Sequence, residues 1–183
     1  MEWLLELDTE WFHLINQSGR ESWDSFMLFT THKLSWIPLY LLLVLLIIRE
    51  KKKDSIWIFA AIGFVILLCD MGSVHLFKNN FERLRPCHAL ENIRLVTDGC
   101  GGQFGFVSSH ASNVLGLAIV IGKLLEKKSV FLLLFLWAVL VSYSRVYVGV
   151  HYPFDIIGGM LWGTFVALLT VKLHAYLTKN EAI

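Results

Sequence analysis

The sequence predicts an all-α integral membrane protein, a bundle of five transmembrane helices with an amphipathic N-terminal helix lying in the membrane interface. Three observations carry this expectation. Hydrophobic residues make up 56% of the chain and charged residues only 17%, whereas soluble domains carry about a quarter charged residues. The missing charge is missing in long blocks, as in helices that face lipid. Between the blocks stand short turns dense in charge, REKKKD at 49–54 and EKKS at 126–129. The whole chain, 1–183, reads as a single domain.

In the first segment, 3–16, Trp3, Leu4, Leu7, Trp11, Leu14 and Ile15 fall on one helical face, while Glu2, Glu6, Asp8, Glu10 and His13 take the others. Such a helix is too polar to span and is expected to lie in the interface. The leading residues are acidic and lack a basic segment before an apolar run, so no cleavable signal is expected. The first span is placed at about 26–48 and the second at 56–77, beyond the first charged turn. A long polar connection, 78–109, follows. The third span, 111–125, is short, the fourth covers 130–147, and His151-Tyr152-Pro153 introduces the fifth at 154–173. In the fifth, Gly159-x-x-x-Gly163 reads as a place where helices of this chain approach closely. Cys69, inside an apolar run, reads as packing.

Five spans put the chain ends on opposite sides. The basic turns at 49–53 and 123–128 then share one side, which the positive-inside rule makes cytoplasmic. The 78–109 loop, the 145–151 turn and the interfacial helix share the other. Short cytoplasmic turns point to a bacterial inner membrane, with the polar face toward the periplasm. A net charge of +1 offers no global field for nucleic acid. The expected partners are the bilayer and an anionic ligand, with no obligate protein partner. Lys78, Arg83, Arg85 and Arg94 sit against the charge rule, and an anion to be bound is a reason for cations to be there.

Three clusters on that face can do chemistry. Lys78 and Arg85, seven apart, share a helical face if the second helix continues past Phe77, with Pro86 ending it. A point charge and a bidentate fork suit a phosphate, although snorkelling residues at a helix end look similar. Ser108, Ser109 and His110 stand at the start of the third span, where free N–H groups favour an anion. One of the serines is expected to cap the helix, and His110 can exchange a proton near neutral pH. In Ser144-Arg145-x5-His151-x3-Asp155, the last two residues are one helical turn apart, so the carboxylate can fix the imidazole tautomer.

In that order, Lys78-x6-Arg85-Pro86, Ser108-Ser109-His110 and Ser144-Arg145-x5-His151-x3-Asp155 resemble the three-part signature of the type-2 phosphatidic acid phosphatase superfamily. That superfamily also includes bacterial acid phosphatases and vanadium haloperoxidases. The middle part usually reads Pro-Ser-Gly-His; here Val107 stands for the Pro and Ser109 for the Gly. The resemblance implies that His151 is the nucleophile forming a phosphohistidine, oriented by Asp155. It implies that His110 protonates the leaving oxygen and then activates water. Lys78, Arg85, Ser108 and Arg145 would hold the phosphate oxygens, with Ser109 beside them, and the family uses neither metal nor cofactor.

A site opening at the bilayer surface suits a lipid phosphate, of the undecaprenyl diphosphate, lipid A phosphate or phosphatidylglycerophosphate class. His88, Glu91 and Arg94, in the loop after Pro86, are candidate headgroup readers. In an oxidising periplasm Cys87 and Cys100 are expected to pair. The bridge would close a loop worth about 3 kcal/mol in the chain-entropy model. A phosphotransferase would share every motif residue, and a non-catalytic anionic-lipid binder or transporter is the remaining alternative.

Overall fold

The computed structural model describes residues 2–179; residues 1 and 180–183, assigned above to the same domain, lie outside the described residues. Among the described residues all regular structure is helical. In order these are α1 (Glu2–Gln17), α2 (Glu21–Thr31), a 3-10 turn (Lys33–Trp36), α3 (Ile37–Lys51), a second 3-10 turn (Lys52–Asp54) and α4 (Ser55–Gly72). α4 runs on as a π-helix through Ser73–Lys78. The short α5 (Asn79–Phe81) and α6 (Pro86–Ala89) lead to α7 (Ser109–Leu124), α8 (Lys128–Tyr147) and α9 (Pro153–Lys179).

Among the described residues three stretches are long and apolar enough to cross a membrane: Lys33–Phe81, which contains both α3 and α4, Lys128–Tyr147 and Pro153–Thr178. Ser109–Leu124 is apolar but shorter. The chain is a multi-pass membrane protein, with large apolar side chains such as Leu41, Leu45, Leu133 and Leu161 left on its outside.

The expected first span, 26–48, is not one helix. α2 stops at Thr31, His32 is extended, and α3 starts again with Pro38 in its first turn. Pro38 sits in the first turn of α3, where its missing N–H costs nothing, and marks a fresh helix start that hydropathy alone does not register. α2 instead buries Met27, Thr30 and Thr31 against α8.

α7 is the central helix, packed on α4, α8 and α9 and buried along most of its length. α9 crosses it at Gly159 and Gly163, where the backbones of Ser108 and Ser112 leave no room for a side chain. α1 turns an unexpected face inward: Asp8, Phe12 and Asn16 are buried, while Trp3, Trp11 and Leu14 remain outside. Much of the apolar face thus stays outside, and polar groups join Phe12 in making the attachment. Asn16 Nδ2 donates to the carbonyls of Arg94 (2.8 Å) and Tyr147 (2.9 Å).

At one end of the bundle the α3–α4 and α7–α8 turns meet, with Lys127 Nζ 2.8 Å from Glu50 Oε1 and Lys51 Nζ 3.6 Å from Glu126 Oε1. Such exposed pairs add little stability, but they place both basic turns at the same end. The opposite end gathers α1, α2, the loop before α7 and the α8–α9 turn.

Candidate active site

His151 lies in the turn between α8 and α9, and Asp155 in the first turn of α9. Both are buried, at 1% and 0% exposure. His151 Nδ1 is 3.2 Å from Asp155 Oδ2, which also accepts the Tyr152 amide at 3.0 Å. With Nδ1 turned to the carboxylate, Nε2 carries the free lone pair. Burial, reinforced by the Arg85 and Arg145 cations, holds the His151 imidazole well below its ordinary range. It is therefore neutral near pH 7, the form in which an imidazole can attack.

The other Asp155 oxygen is held by a residue that sequence reasoning did not assign to the site. Arg83 NH1 donates to Asp155 Oδ1 at 3.0 Å, while its NH2 donates to Asp8 Oδ2 at 2.7 Å. Asp8 Oδ1 accepts the Phe154 amide at 2.8 Å. The Arg83 guanidinium lies 4.1 Å over the Tyr152 ring. An ion-paired arginine thus ties α1 to the carboxylate behind His151. Burial pushes the Asp8 carboxyl above the usual range, against the opposing pull of Arg83.

The expectation that Lys78 and Arg85 share one helical face is corrected. The helix ends at Phe81, and Glu82 takes a left-handed conformation (φ 47°). The segment beyond it is extended: Leu84 bridges Phe104, the Gly105 amide donates to the Arg83 carbonyl (2.8 Å), and the Arg85 amide to that of Gln103 (3.1 Å). In extended backbone residues two apart project to the same side, so the Arg-Leu-Arg alternation was the available signal for Arg83. Pro86 opens α6 and does not close a helix. Gly105 permits this pairing beside the site, since a Cβ there would stand 2.7 Å from Asp155 Oδ2.

Arg85 is buried, its Nε donating to the Phe104 carbonyl (3.3 Å) and its NH1 to that of Cys100 (3.2 Å). Lys78 Nζ donates to Ser109 Oγ at 2.8 Å. Ser108 caps α7, its hydroxyl accepting from the Ala111 amide, and its own amide donates to the Asp155 carbonyl (2.9 Å), joining the starts of α7 and α9. His110 follows in the first turn of α7 and lies in the field of Lys78, Arg85, Arg145 and His151. Arg145 NH1 donates to Thr31 Oγ1, and its buried Nε has no hydrogen-bond partner among the described residues. That Nε is a desolvated donor suited to an anionic acceptor.

In the loop, Cys87 and Cys100 are joined by a disulfide with a Cα–Cα distance of 5.9 Å. His88 and Glu91 are exposed. Arg94 is ion-paired with Asp24 and lies 5.4 Å over the Tyr147 ring. It fastens α2 to the loop, so of the three expected headgroup readers only His88 and Glu91 stand open.

A groove of about 900 Å³ opens from this cluster. Lys78, Arg85, Ser109 and His110 line one end, and Leu43, Ile47, Ile62, Val114, Leu117 and Ile121 line its length between α3, α4 and α7. Cations at the mouth and hydrocarbon along the walls match an amphiphile with an anionic head.

Comparison with known proteins agrees with this geometry. A lipid A 4'-phosphatase of Porphyromonas gingivalis is 31% identical over 182 residues, covering 96% of this chain and 76% of the relative. An undecaprenyl-diphosphatase of Sulfolobus acidocaldarius is 33% identical over 171 residues, covering 92% and 79%. The crystal structure of Aquifex aeolicus LpxE superposes with a TM-score of 0.69 at 25% identity, covering 91% of this chain and 95% of that one. The PAP2 superfamily profile matches residues 59–179, most of the chain and every motif residue from Lys78 to Asp155, and the chain belongs to that superfamily.

Proposed function

We propose that this protein is a membrane phosphatase that hydrolyses a lipid phosphate or diphosphate through a phosphohistidine on His151. The observation that carries the reading is the buried His151–Asp155 pair in the field of Arg85, Arg145 and Lys78, with Lys78 and Arg85 also lining the mouth of an apolar groove. His151 Nε2 attacks phosphorus as the bond to the lipid oxygen breaks, and His110 gives that oxygen its proton. His110 then takes a proton from water, whose oxygen attacks phosphorus; the P–N bond breaks and inorganic phosphate leaves. Asp155 keeps the Nδ1 proton in place throughout. Lys78, Arg85 and Arg145 stabilise the charge that spreads over the phosphoryl oxygens, with Ser108 and Ser109 at the start of α7 beside them. The scheme uses no metal.

The junction of the two basic turns at one end supports five crossings of a bacterial inner membrane, with the site at the periplasmic end. The substrates named for the relatives, lipid A phosphate and undecaprenyl diphosphate, belong to the class proposed here. Purified His151→Ala protein should release phosphate from such lipids about 10³-fold more slowly or worse, with its helical circular dichroism retained. Activity within tenfold of wild type would refute the nucleophile assignment.

A further inference from the structure

The groove is not apolar throughout. Asp70 lies on α4 with Ile66-Leu67-Leu68 before it and Met71 after it, yet it is exposed, lines the groove and forms neither hydrogen bond nor ion pair among the described residues. Its charge reaches Lys78 only through space. Eight residues separate it from Lys78, roughly 10–12 Å along the helix, so it stands inward of the phosphate cradle at the depth of the acyl chains. An unpaired acid in an otherwise apolar span is expensive and calls for a ligand or a function.

Two further polar groups on the groove wall lack partners among the described residues. Asn113 is one helical turn beyond His110 on α7; its buried Oδ1 has no hydrogen bond, and its carboxamide forms none. Trp137 on α8 also lines the groove, and its buried Nε1 has no acceptor. It lies eight residues before Arg145, about 12 Å inward by helical rise. Three helices thus line one cavity with a carboxylate-, a carboxamide- and an indole-bearing residue. Together they offer acceptors and donors, the combination that hydroxyl and amide groups satisfy. A plain polyprenyl or alkyl chain satisfies none of them and would leave all three desolvated.

We infer that Asp70, Asn113 and Trp137 form a polar subsite selecting lipid phosphates with hydroxyl or amide groups near the start of their chains, such as acylated amino sugars, over phosphates of bare hydrocarbon chains. This rests on the phosphatase reading and narrows its substrate class. The binding site discriminates because burying a partnered polar group costs far less than burying an unpartnered one.

The test uses the full chain in detergent with two synthetic phosphates of matched length, an N-(3-hydroxyacyl)glucosamine phosphate and a plain alkyl phosphate. Wild type should show at least tenfold higher kcat/KM for the first. Asp70→Leu and Asn113→Leu should each pull that ratio to within about threefold. The same two lipids are also titrated as ligands against His151→Ala protein, so that selectivity is read as a ratio of Kd values without turnover. Equal kcat/KM and equal Kd for the two lipids would overturn the subsite, as would wild-type ratios in both variants. No phosphate release from either lipid, with the Kd ratio retained, would overturn the phosphatase reading and leave the subsite standing. Two substitutions on different helices keep the test decisive if one fails to fold.

Discussion

α7 and α3 are both apolar helices of similar length, and they are packed in opposite ways. α7 is enclosed by α4, α8 and α9, buried from Ala111 through Gly122 apart from Asn113. α3 buries only Leu43 and Ile47 and leaves Leu41, Leu42, Leu45 and Ile48 outside. The difference lies in the small residues. Gly159 and Gly163 let α9 rest on the α7 backbone, Gly116 of α7 meets Cys69 and Val65 of α4, and Gly72 of α4 meets Trp162. Without a hydrophobic drive between helices in lipid, close backbone approach is what holds a bundle together. α3 has no glycine; its leucines and isoleucines stand off from α4 and α7, and the gap is the groove. The proposed catalytic groups therefore sit on the tightly packed half, at the ends of α7, α8 and α9, while the groove proposed for the lipid lies on the loose half.

The largest effect is expected from filling the tight half. A Cβ on Gly163 would sit 2.8 Å from the Ser112 Cα, and the Ser112 backbone cannot yield without moving α7. Gly163→Leu should abolish activity and lower the melting temperature by at least about 10 °C, from several kcal/mol of overpacking. A melting temperature within a few degrees of wild type would show that the α7–α9 contact is not what fixes the cradle.

An intermediate effect is expected at the clamp behind Asp155. Arg83→Met removes one partner of two buried carboxylates, a loss of several kcal/mol of local stability in comparable sites. It should lower kcat by about 10–100-fold while changing KM less than threefold, because Arg83 positions Asp155 through its side chain and does not face the groove. Arg83→Lys should restore part of the rate. A change confined to KM would place Arg83 in substrate binding instead.

The smallest effect belongs to the loose half. Leu43→Trp narrows the groove on its α3 side, and the free outer face of α3 can absorb the volume. We expect a three- to tenfold rise in KM for long-chain lipid phosphates and no change for a short soluble phosphate monoester. Equal effects on both would mean that the groove is not the path of the chain.

Much of this was readable in the chain. Long uncharged blocks can only be buried in lipid or core, and their turns carry the charge that decides sidedness; hence the helical class and the meeting of the two basic turns at one end. His151 and Asp155 are only four residues apart, so their 3.2 Å pair was a local inference, although His151 stands in the turn before α9 and not in the helix as expected. Cys87 and Cys100, flanking one loop, were a similarly short-range inference. The break at His32 was not readable, because a hydropathy window averages over a bend and does not register the fresh helix start that Pro38 marks.

What only the tertiary structure decided were the contacts between distant segments. Asp8 and Arg83 lie 75 residues apart, and Arg145 and Thr31 114 apart. No periodicity in either segment encodes such a meeting, which depends on how α1 and α2 dock against the end of the bundle. Arg83 looked like one more cation against the positive-inside rule until Glu82 turned left-handed and aimed it at Asp155. Asp70 and Asn113, polar specks in apolar spans, acquired meaning only when two helices put them on the wall of one groove. By itself the sequence determined which residues are compatible with lipid and which can carry phosphate chemistry, because those are properties of side chains and their local spacing. Which carboxylate meets which cation, and where the bundle stays open, were set by helix packing, because that depends on the shapes of whole surfaces.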